Sequence, residues 1–265
     1  MLSHPRFTDR RMLRDHTYAD HHALETRRSI YRYRQPRLDL VDEVMSRLTD
    51  VPAGTAVDVG CGSGVYTREL RRRRPGQLVV GLDLSTGMVT TTGGPGAVAD
   101  AERLPLPDNS CVIGLALHML YHVPDPGTAV AELARVCRPD GTVVLAGNAE
   151  DDKIEFNAMW DAAVAEVPGV TERFRDGDFL SVARMAELAE HHFGSVTLID
   201  FVGETVVPEA EPVLAWLEST RPMRGVDDAT FEAIMDRAGN YVDRQIVHTG
   251  GFRLTNHIGV IVARP

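Results

Sequence analysis

An alternation of apolar and helix-like segments over residues 55–148 is the feature that most constrains the fold of this chain. The predicted strands are "TAVDVG" (55–60), "QLVVGLDL" (77–84), "AVAD" (97–100), "CVIGLALHML" (111–120) and "TVVLAGN" (142–148). Helices are predicted over 64–74 and 125–141, each ended by a proline and a glycine. Nearly continuous apolar strands separated by helices indicate an α/β fold, with a sheet covered on both faces.

The regular alternation stops near residue 150. Residues 1–50 are polar and helix-like, with apolar residues at helical spacing over 38–48, and we predict that they form a helical cover. Residues 51–265 are predicted to form one α/β domain, with helical cover insertions near 150–180 and 209–248 above the carboxyl edge of the sheet. The remaining predicted elements are helices over 152–167, 178–193, 209–219 and 227–248, and strands over 195–207 and 251–265.

Composition and charge narrow the class of protein. The 265 residues are 43% hydrophobic and 25% charged, which is typical of a soluble globular domain. The net charge of −10 argues against a nucleic-acid partner, and Arg71–Arg74 is predicted to be a solvated helix end. No apolar run is long enough to cross a membrane, and the first residues lack the apolar segment of a signal peptide. The three cysteines lack metal-ligand spacing, so no metal site is predicted. They favour reduced thiols in a cytoplasmic protein. The sequence is compatible with a homo-oligomer.

The first predicted strand runs into a glycine loop, "VDVGCGSG" (57–64). Its G-x-G-x-G spacing differs from the G-x-G-x-x-G of dinucleotide-binding loops, and it lacks the Gly-Lys-Ser/Thr of a Walker loop. Asp83 ends the second predicted strand, where a carboxylate can accept hydrogen bonds from both hydroxyls of a ribose. The loop and Asp83 therefore indicate a ribose-bearing ligand, and they leave NAD and S-adenosylmethionine both open.

The stretch "VADAERLPLPDNSCVIGLALHMLYHVPDP" (98–126) separates these alternatives. Together with "VDVGCGSG", "VVGLDLS" and "ELARVCRPDGTVVLAG", it resembles the ordered motifs of class I S-adenosylmethionine-dependent methyltransferases of the small-molecule, type 11 group. The resemblance covers residues 27–148 and implies a Rossmann-like, doubly wound mixed sheet. It also implies S-adenosylmethionine as cofactor and a small-molecule methyl acceptor.

The resemblance implies a role for each matching residue. Tyr33, in "RRSIYRY" (27–33), would reach the cofactor from the N-terminal segment. The residues implied for the methionine part are Asp58, Gly60, Cys61, Gly62 and Gly64; for the ribose, Asp83; for the adenine, Leu84, Met88, Asp100, Ala101 and Glu102; and near the reactive methyl, Leu117 and His118. One departure is the short "VTTTGGPG" after "DLSTGM", where the family has a full helix, and it predicts a looser adenine wall.

Methyl transfer needs alignment of a nucleophile and exclusion of water, and it needs a general base only where the nucleophile carries a proton. His118 and His122 follow the fourth predicted strand and are the catalytic candidates; His122 could instead bond the backbone of the "VPDP" turn. The acidic residues 150–152 could attract a cationic amine substrate, and the favoured interpretation is a solvated loop. The predicted reaction is methylation of an O, N or C atom of a small molecule, such as a natural-product intermediate. The alternatives are an NAD-dependent oxidoreductase, a non-catalytic S-adenosylmethionine-binding module and, disfavoured by the acidic charge, an RNA methyltransferase.

Overall fold

The computed structural model describes residues 8–12, 22–171 and 180–265. Its centre is one mixed eight-stranded sheet with the order β1-β7-β8-β6-β5-β2-β3-β4. The strands are β1 Arg34–Gln35, β2 Thr55–Val59, β3 Val79–Asp83, β4 Gly96–Val98, β5 Cys111–Leu117, β6 Cys137–Asn148, β7 Ser195–Val207 and β8 Phe252–Arg264. Strands β2 to β6 pair in parallel, and β1, β7 and β8 complete the sheet with antiparallel pairs. The predicted Rossmann-like mixed sheet is confirmed.

Helices surround the sheet and its carboxyl edge. They are α1 Arg10–Met12, α2 His22–Ser29, α3 Leu40–Ser46, α4 Val65–Arg73, α5 Thr86–Thr91, α6 Pro126–Val136, α7 Ile154–Ala165, α8 Val182–Glu190, α9 Ala210–Glu218 and α10 Asp228–Thr249. Short 3-10 helices span Ile30–Tyr33, Leu120–His122 and Arg221–Met223. Parts of the predicted covers, over 1–7, 13–21 and 172–179, lie outside the described residues. Among the described residues, no helix combines the length and apolar composition that a membrane-spanning segment requires.

Two predicted strand boundaries differ from the structure. The fourth predicted strand, 111–120, ends at Leu117 because His118 adopts a left-handed backbone with φ 55°, which turns the chain out of the sheet. The predicted helix over 125–141 ends at Val136, and β6 begins at Cys137, where Cys111 is its register partner. At the second boundary, pairing with β5 overrides the predicted helix.

The N-terminal region contributes a strand as well as helices. Arg34 pairs with Thr205 and Gln35 pairs with Glu204, so β1 covers one end of the edge strand β7. Two polar residues carry no periodicity, and the sequence therefore did not predict this strand. In this strand the Arg34 side chain is buried, at 3% exposure.

Three apolar clusters hold the layers together. Along β6, Val143 and Leu145 pack into the cluster that includes α6 and α8, whereas Val144 and Ala146 pack into the opposite cluster with α3 and α4. This alternation buries both faces of the strand, as its apolar sequence predicts.

The third group of residues, here called the cover cluster, joins the 3-10 helix 30–33 with α7, α9 and α10. Its members include Ile30, Phe156, Trp160, Trp216 and Phe231. Phe156 stacks on Trp216 with ring centroids 3.9 Å apart. The cover cluster thus forms a separate core beside the carboxyl edge of the parallel strands.

Candidate active site

A cavity of about 630 Å³ lies between the carboxyl edge of the sheet and the cover cluster. One side is formed by the ends of the parallel strands, with Gly60 after β2, Asp83 closing β3 and His118 after β5. The other side is formed by covers, including Tyr31 before β1, Lys153 before α7 and Trp216 in α9. Ligands of doubly wound sheets bind at this edge, near the point where strand order reverses.

The glycine loop requires glycine because of its backbone. Gly60, Gly62 and Gly64 all have positive φ, at 66°, 51° and 75°. A Cβ on Gly60 would stand 2.7 Å from the side chain of Met119, and a Cβ on Gly64 would stand 2.8 Å from Cα of Thr92. A side chain at Gly60 or Gly64 would therefore meet both a strained backbone and a steric conflict.

Asp83 ties the glycine loop to the end of β3. Its Oδ2 accepts a hydrogen bond from the N–H of Gly62 at 2.9 Å, and its Oδ1 accepts one from the N–H of Ser85 at 2.9 Å. Burial raises the pKa of this carboxyl, and the hydrogen bonds from Ser85 and Gly62 oppose that rise. The acid is thus held in one orientation at the cavity wall.

Asp58 lies deeper, at 2% exposure. Its Oδ2 accepts a hydrogen bond from Oγ1 of Thr67 at 2.6 Å. Burial raises the pKa of Asp58 to about 6, and the bond from Thr67 lowers it in part. Next to it, burial also raises the pKa of the Cys61 thiol, so this cysteine contributes a neutral wall rather than a thiolate.

Asp100 and Glu102 meet an arginine from the N-terminal segment. Nη2 of Arg10 lies 2.8 Å from Oδ2 of Asp100 and also pairs with Oε2 of Glu102. Oδ1 of Asp100 accepts from the N–H of Glu102 at 3.1 Å, and Oε1 of Glu102 accepts from the N–H of Asp125 at 2.6 Å. Arg10 therefore covers the end of the cavity predicted to take the adenine.

His118 and Lys153 share an uncommon backbone. They are two of the three non-glycine residues with positive φ in the described chain, at 55° and 54°, and both line the cavity. Such conformations persist where the surrounding structure holds them, and they occur often at functional sites. Burial, with smaller contributions from the positive charges of Lys153 and Arg28, lowers the pKa of His118 to about 4. Its imidazole is neutral at physiological pH.

Lys153 is the one lysine of the sequence, and it is 6% exposed. Its Nζ pairs with Oδ2 of Asp152 and donates to Oη of Tyr31 at 2.9 Å. The expectation of a solvated loop over residues 150–152 is wrong for Asp152, which is 6% exposed, because this ion pair brings it inside. Sequence reasoning gave Lys153 and Tyr31 no role; the single lysine in an arginine-rich chain was the available signal.

Most of the predicted site residues line this cavity. They are Asp58, Gly60, Cys61, Gly62, Asp83, Leu84, Met88, Asp100, Ala101, Leu117, His118 and His122. Three others, Tyr33, Gly64 and Glu102, do not contribute to its wall. Both Tyr31 and Tyr33 pack against the cover cluster, but of the two it is Tyr31 that lines the cavity; Oη of Tyr33 accepts from Arg32 at 2.8 Å. Gly64 begins α4 behind the loop.

His122 lies in the wall beside Tyr121. The two rings meet edge to face with centroids 4.5 Å apart, and the N–H of His122 donates to the carbonyl of Met119. The structure thus brings both predicted histidines to one cavity. Across the described part of the chain, no group of three or more His, Cys, Asp or Glu residues is arranged to hold a metal ion.

Comparison with known proteins agrees with this geometry. Residues 57–145 match the family model described as "Methyltransferase domain". A malonyl-[acyl-carrier protein] O-methyltransferase of Serratia marcescens is 29% identical over 133 residues, which is 48% of this chain and 51% of that protein. The chain spans about half the length of the curated relatives it matches.

Solved structures share the fold over a larger part of the chain. A putative methyltransferase of an antibiotic biosynthesis pathway in Anabaena variabilis has a TM-score of 0.61 at 18% identity, over 85% of this chain and 96% of that one. A Haemonchus contortus enzyme, solved as a phosphoethanolamine N-methyltransferase with phosphomonomethylethanolamine and S-adenosylhomocysteine, has a TM-score of 0.58 at 17% identity, over 98% of this chain and 60% of that one. Residues 57–145 therefore match a methyltransferase domain, as the motifs predict, and the chain shares the fold of these solved methyltransferases.

Proposed function

We propose that this protein transfers a methyl group from S-adenosylmethionine to an O, N or C atom of a small-molecule acceptor, such as a natural-product intermediate. The observation that carries the proposal is the continuity of one cavity from the glycine loop and Asp83 to the cover residues Tyr31, Lys153 and Trp216. Its volume of about 630 Å³ falls within the range of about 300–1,000 Å³ usual for small-molecule sites. A single chamber suits a reaction between two small molecules. The part beside the glycine loop and Asp83 is here called the nucleoside end, and the part beside Tyr31, Lys153 and Trp216 the acceptor end.

The cofactor of the methyltransferase domain is S-adenosylmethionine, and the residues present fit it. Asp83 would accept from the ribose hydroxyls, and the main chain at Gly60 and Gly62 would accommodate the methionine part beside Asp58. Leu84, Met88, Asp100 and Ala101 would surround the adenine, with Gly64 and Glu102 as support from behind the wall. When bound, the cofactor supplies a methyl group already activated as a sulfonium.

The chain's own residues then have to place the acceptor and exclude water. Leu117 and Cys61 give the reacting end an apolar wall, where charge interactions are strong. His118 is neutral, so one ring nitrogen is available to accept a hydrogen bond from a hydroxyl or amine nucleophile. A pKa of about 4 makes His118 a weak base, so we assign it to orienting the nucleophile. His122 is the other candidate for accepting the proton of the nucleophile.

The proposal is tested by calorimetric titration of the protein with S-adenosylhomocysteine and, separately, with NADH. We expect binding of the former and a loss of about 2–3 kcal/mol of it in Asp83→Ala, because a charge-assisted contact to the ribose disappears. Asp140→Ala, which removes an exposed carboxylate paired with Arg138, is the matched control and leaves affinity unchanged. His118→Ala lowers turnover with an accepted substrate more than it lowers affinity for S-adenosylhomocysteine.

Three results would contradict the proposal. Preference for NADH would favour an oxidoreductase. Tight binding of S-adenosylhomocysteine, with no methyl transfer to any acceptor of a broad panel, would favour a non-catalytic binding module. Unchanged affinity in Asp83→Ala would place the ribose elsewhere.

A further inference from the structure

The acceptor end of the cavity contains a buried arginine without an acidic partner. Arg34 is 3% exposed and lines the cavity. Its Nη atoms donate to the main-chain carbonyls of Pro36 and of Phe201, the latter at 3.1 Å. Among the described residues, no carboxylate lies within ion-pair distance of this guanidinium, and its Nε has no hydrogen-bond partner.

The fold makes room for this charge. A Cβ on Gly203, in the strand β7 that pairs with β1, would stand 2.9 Å from Cζ of Arg34. A buried charge without a counter-ion is expensive, and proteins normally pair it. Burial accordingly lowers the pKa of Arg34, although an arginine stays protonated at physiological pH. The positive charge is thus retained; among the described residues, Asp152 attracts it from beyond ion-pair distance, and Oδ2 of Asp152 is already paired with Lys153.

Hydrogen-bond donors stand at the same end of the cavity. Nζ of Lys153 has three N–H groups, of which Asp152 and Tyr31 accept two. Because Oη of Tyr31 accepts from Lys153, its own O–H is left to donate. Asp152 is committed on both oxygens, since its Oδ1 accepts from the N–H of His257 at 2.9 Å.

The buried charged groups at the acceptor end carry an excess of one positive charge, since Arg34 and Lys153 stand against Asp152. Three exposed groups, Arg28, Asp39 and Glu150, also line the cavity, where solvent screens them. Burial is the largest cause of the lowered pKa of His118, and the positive charges of Lys153 and Arg28 lower it further.

We propose that the methyl acceptor carries an oxyanion, a carboxylate or a phosphate ester, that binds at Arg34, Lys153 and Tyr31, with an apolar body against Trp216, Met223 and Ile258. This rests on the proposed methyltransferase function and adds the chemical class of the acceptor. Lys153 and Tyr31 donate hydrogen bonds to the anion, and Arg34 supplies the buried counter-charge behind them. An ammonium-bearing acceptor is disfavoured by the same charges.

The test measures binding to the protein saturated with S-adenosylhomocysteine, so that cofactor affinity is known separately. Three probes share one apolar body: 3-phenylpropanoate, its neutral amide 3-phenylpropanamide, and phenethyl phosphate. We expect each anion to bind about tenfold or more tightly than the amide. The tighter of the two anions identifies carboxylate or phosphate as the source of the charge.

Substitutions identify the residues that cause the tighter binding of the anions. In Arg34→Gln, and in the double variant Asp152→Asn with Lys153→Met, we expect the anions and the amide to bind alike, with affinity for S-adenosylhomocysteine retained. The double variant removes both charges of the pair, so neither is left buried alone. Arg138→Gln removes an exposed arginine at the opposite edge of the sheet and is the control that keeps the preference.

Equal binding of amide and anion to the wild-type protein, a preference that survives in Arg34→Gln, or no binding of any probe to the saturated protein would each overturn the inference. Failure to bind S-adenosylhomocysteine would instead overturn the proposed function. The two failures are therefore distinguishable in one set of titrations.

Discussion

Asp58 and His118 line the same cavity, and burial moves their pKa values in opposite directions. The carboxyl rises from an ordinary 3.8 to about 6, and the imidazole falls from 6.5 to about 4. Both shifts have one cause, since a low-dielectric wall disfavours the charged form of either group. At the scale of the residue, this wall therefore makes the Asp58 carboxyl easier to protonate and the His118 imidazole harder to protonate.

These shifts predict opposite dependences of stability on pH. Asp58 has its raised pKa only in the folded state, so its contribution is full below about pH 4 and is lost as pH rises through about 6. His118 has its lowered pKa only in the folded state, so its contribution is present above about pH 6.5 and is lost as pH falls through about 4. Each effect is of the order of 2–3 kcal/mol, and in the wild-type protein they largely cancel.

Single substitutions separate the two effects. Relative to wild type, Asp58→Asn gains stability as pH rises from 4 to 6, and His118→Asn loses stability over the same interval. Urea unfolding of the ligand-free protein at half-unit pH steps measures both differences. Parallel curves for wild type and either variant would show that the substituted group titrates alike in the folded and unfolded chains.

At the scale of the element, the turn from β2 into α4 depends on glycine for two separable reasons. Gly64 begins α4 with φ 75°, and the Cα of Thr92 leaves no space for a side chain there. Gly93 has a similar φ of 69°, but nothing lies within 4 Å of a Cβ placed on it. A substitution at Gly93 therefore tests backbone strain alone, whereas the same substitution at Gly64 adds a steric conflict.

We predict that Gly93→Ala costs about 1–2 kcal/mol of unfolding free energy, the usual cost of a left-handed alanine. Gly64→Ala adds a further cost of about 1–3 kcal/mol, because its conflict is with main chain rather than a flexible side chain. Denaturant unfolding of both variants gives the difference directly. Equal losses would mean that the segment 86–92 shifts away without cost.

At the scale of the whole molecule, the cavity separates two kinds of core. The sheet has its own clusters on both faces, and the cover cluster is built mostly from residues beyond 150, with Ile30 from the N-terminal region. Tyr31 and Trp216 belong to or pack on the cover cluster and also line the cavity. Destabilising the covers should therefore alter the acceptor end of the cavity more than the glycine loop.

Phe156→Leu tests this arrangement. Loss of the stack on Trp216 should cost about 1–2 kcal/mol and should accelerate amide hydrogen exchange in α7, α9 and α10, with little change in β2 and β5. Phe193→Leu, in the cluster beneath α8, is the matched control and should accelerate exchange there instead. Uniform acceleration throughout the chain in both variants would show that the sheet and the covers open as one unit.

The sequence by itself determined the parallel strands, the glycine loop and the acid at Asp83, because each is written in a short stretch whose periodicity and turn chemistry are local. It also predicted most of the residues that line the cavity beside the glycine loop, since those residues follow directly on predicted strands. It did not distinguish Tyr31 from Tyr33, because both rings lie in one short segment and only the packing of the covers decides which of them lines the cavity.

Tertiary structure alone decided the acceptor end. Arg34 reaches the cavity through a two-residue strand paired with β7, and Lys153 reaches Tyr31 from 122 positions away. No local pattern encodes such a meeting, because it depends on how the covers pack over the finished sheet. The physical reason is the range of the interactions: backbone propensity and hydrophobic period act over a few residues, whereas the pairing of buried charges is settled only when distant segments share one interior.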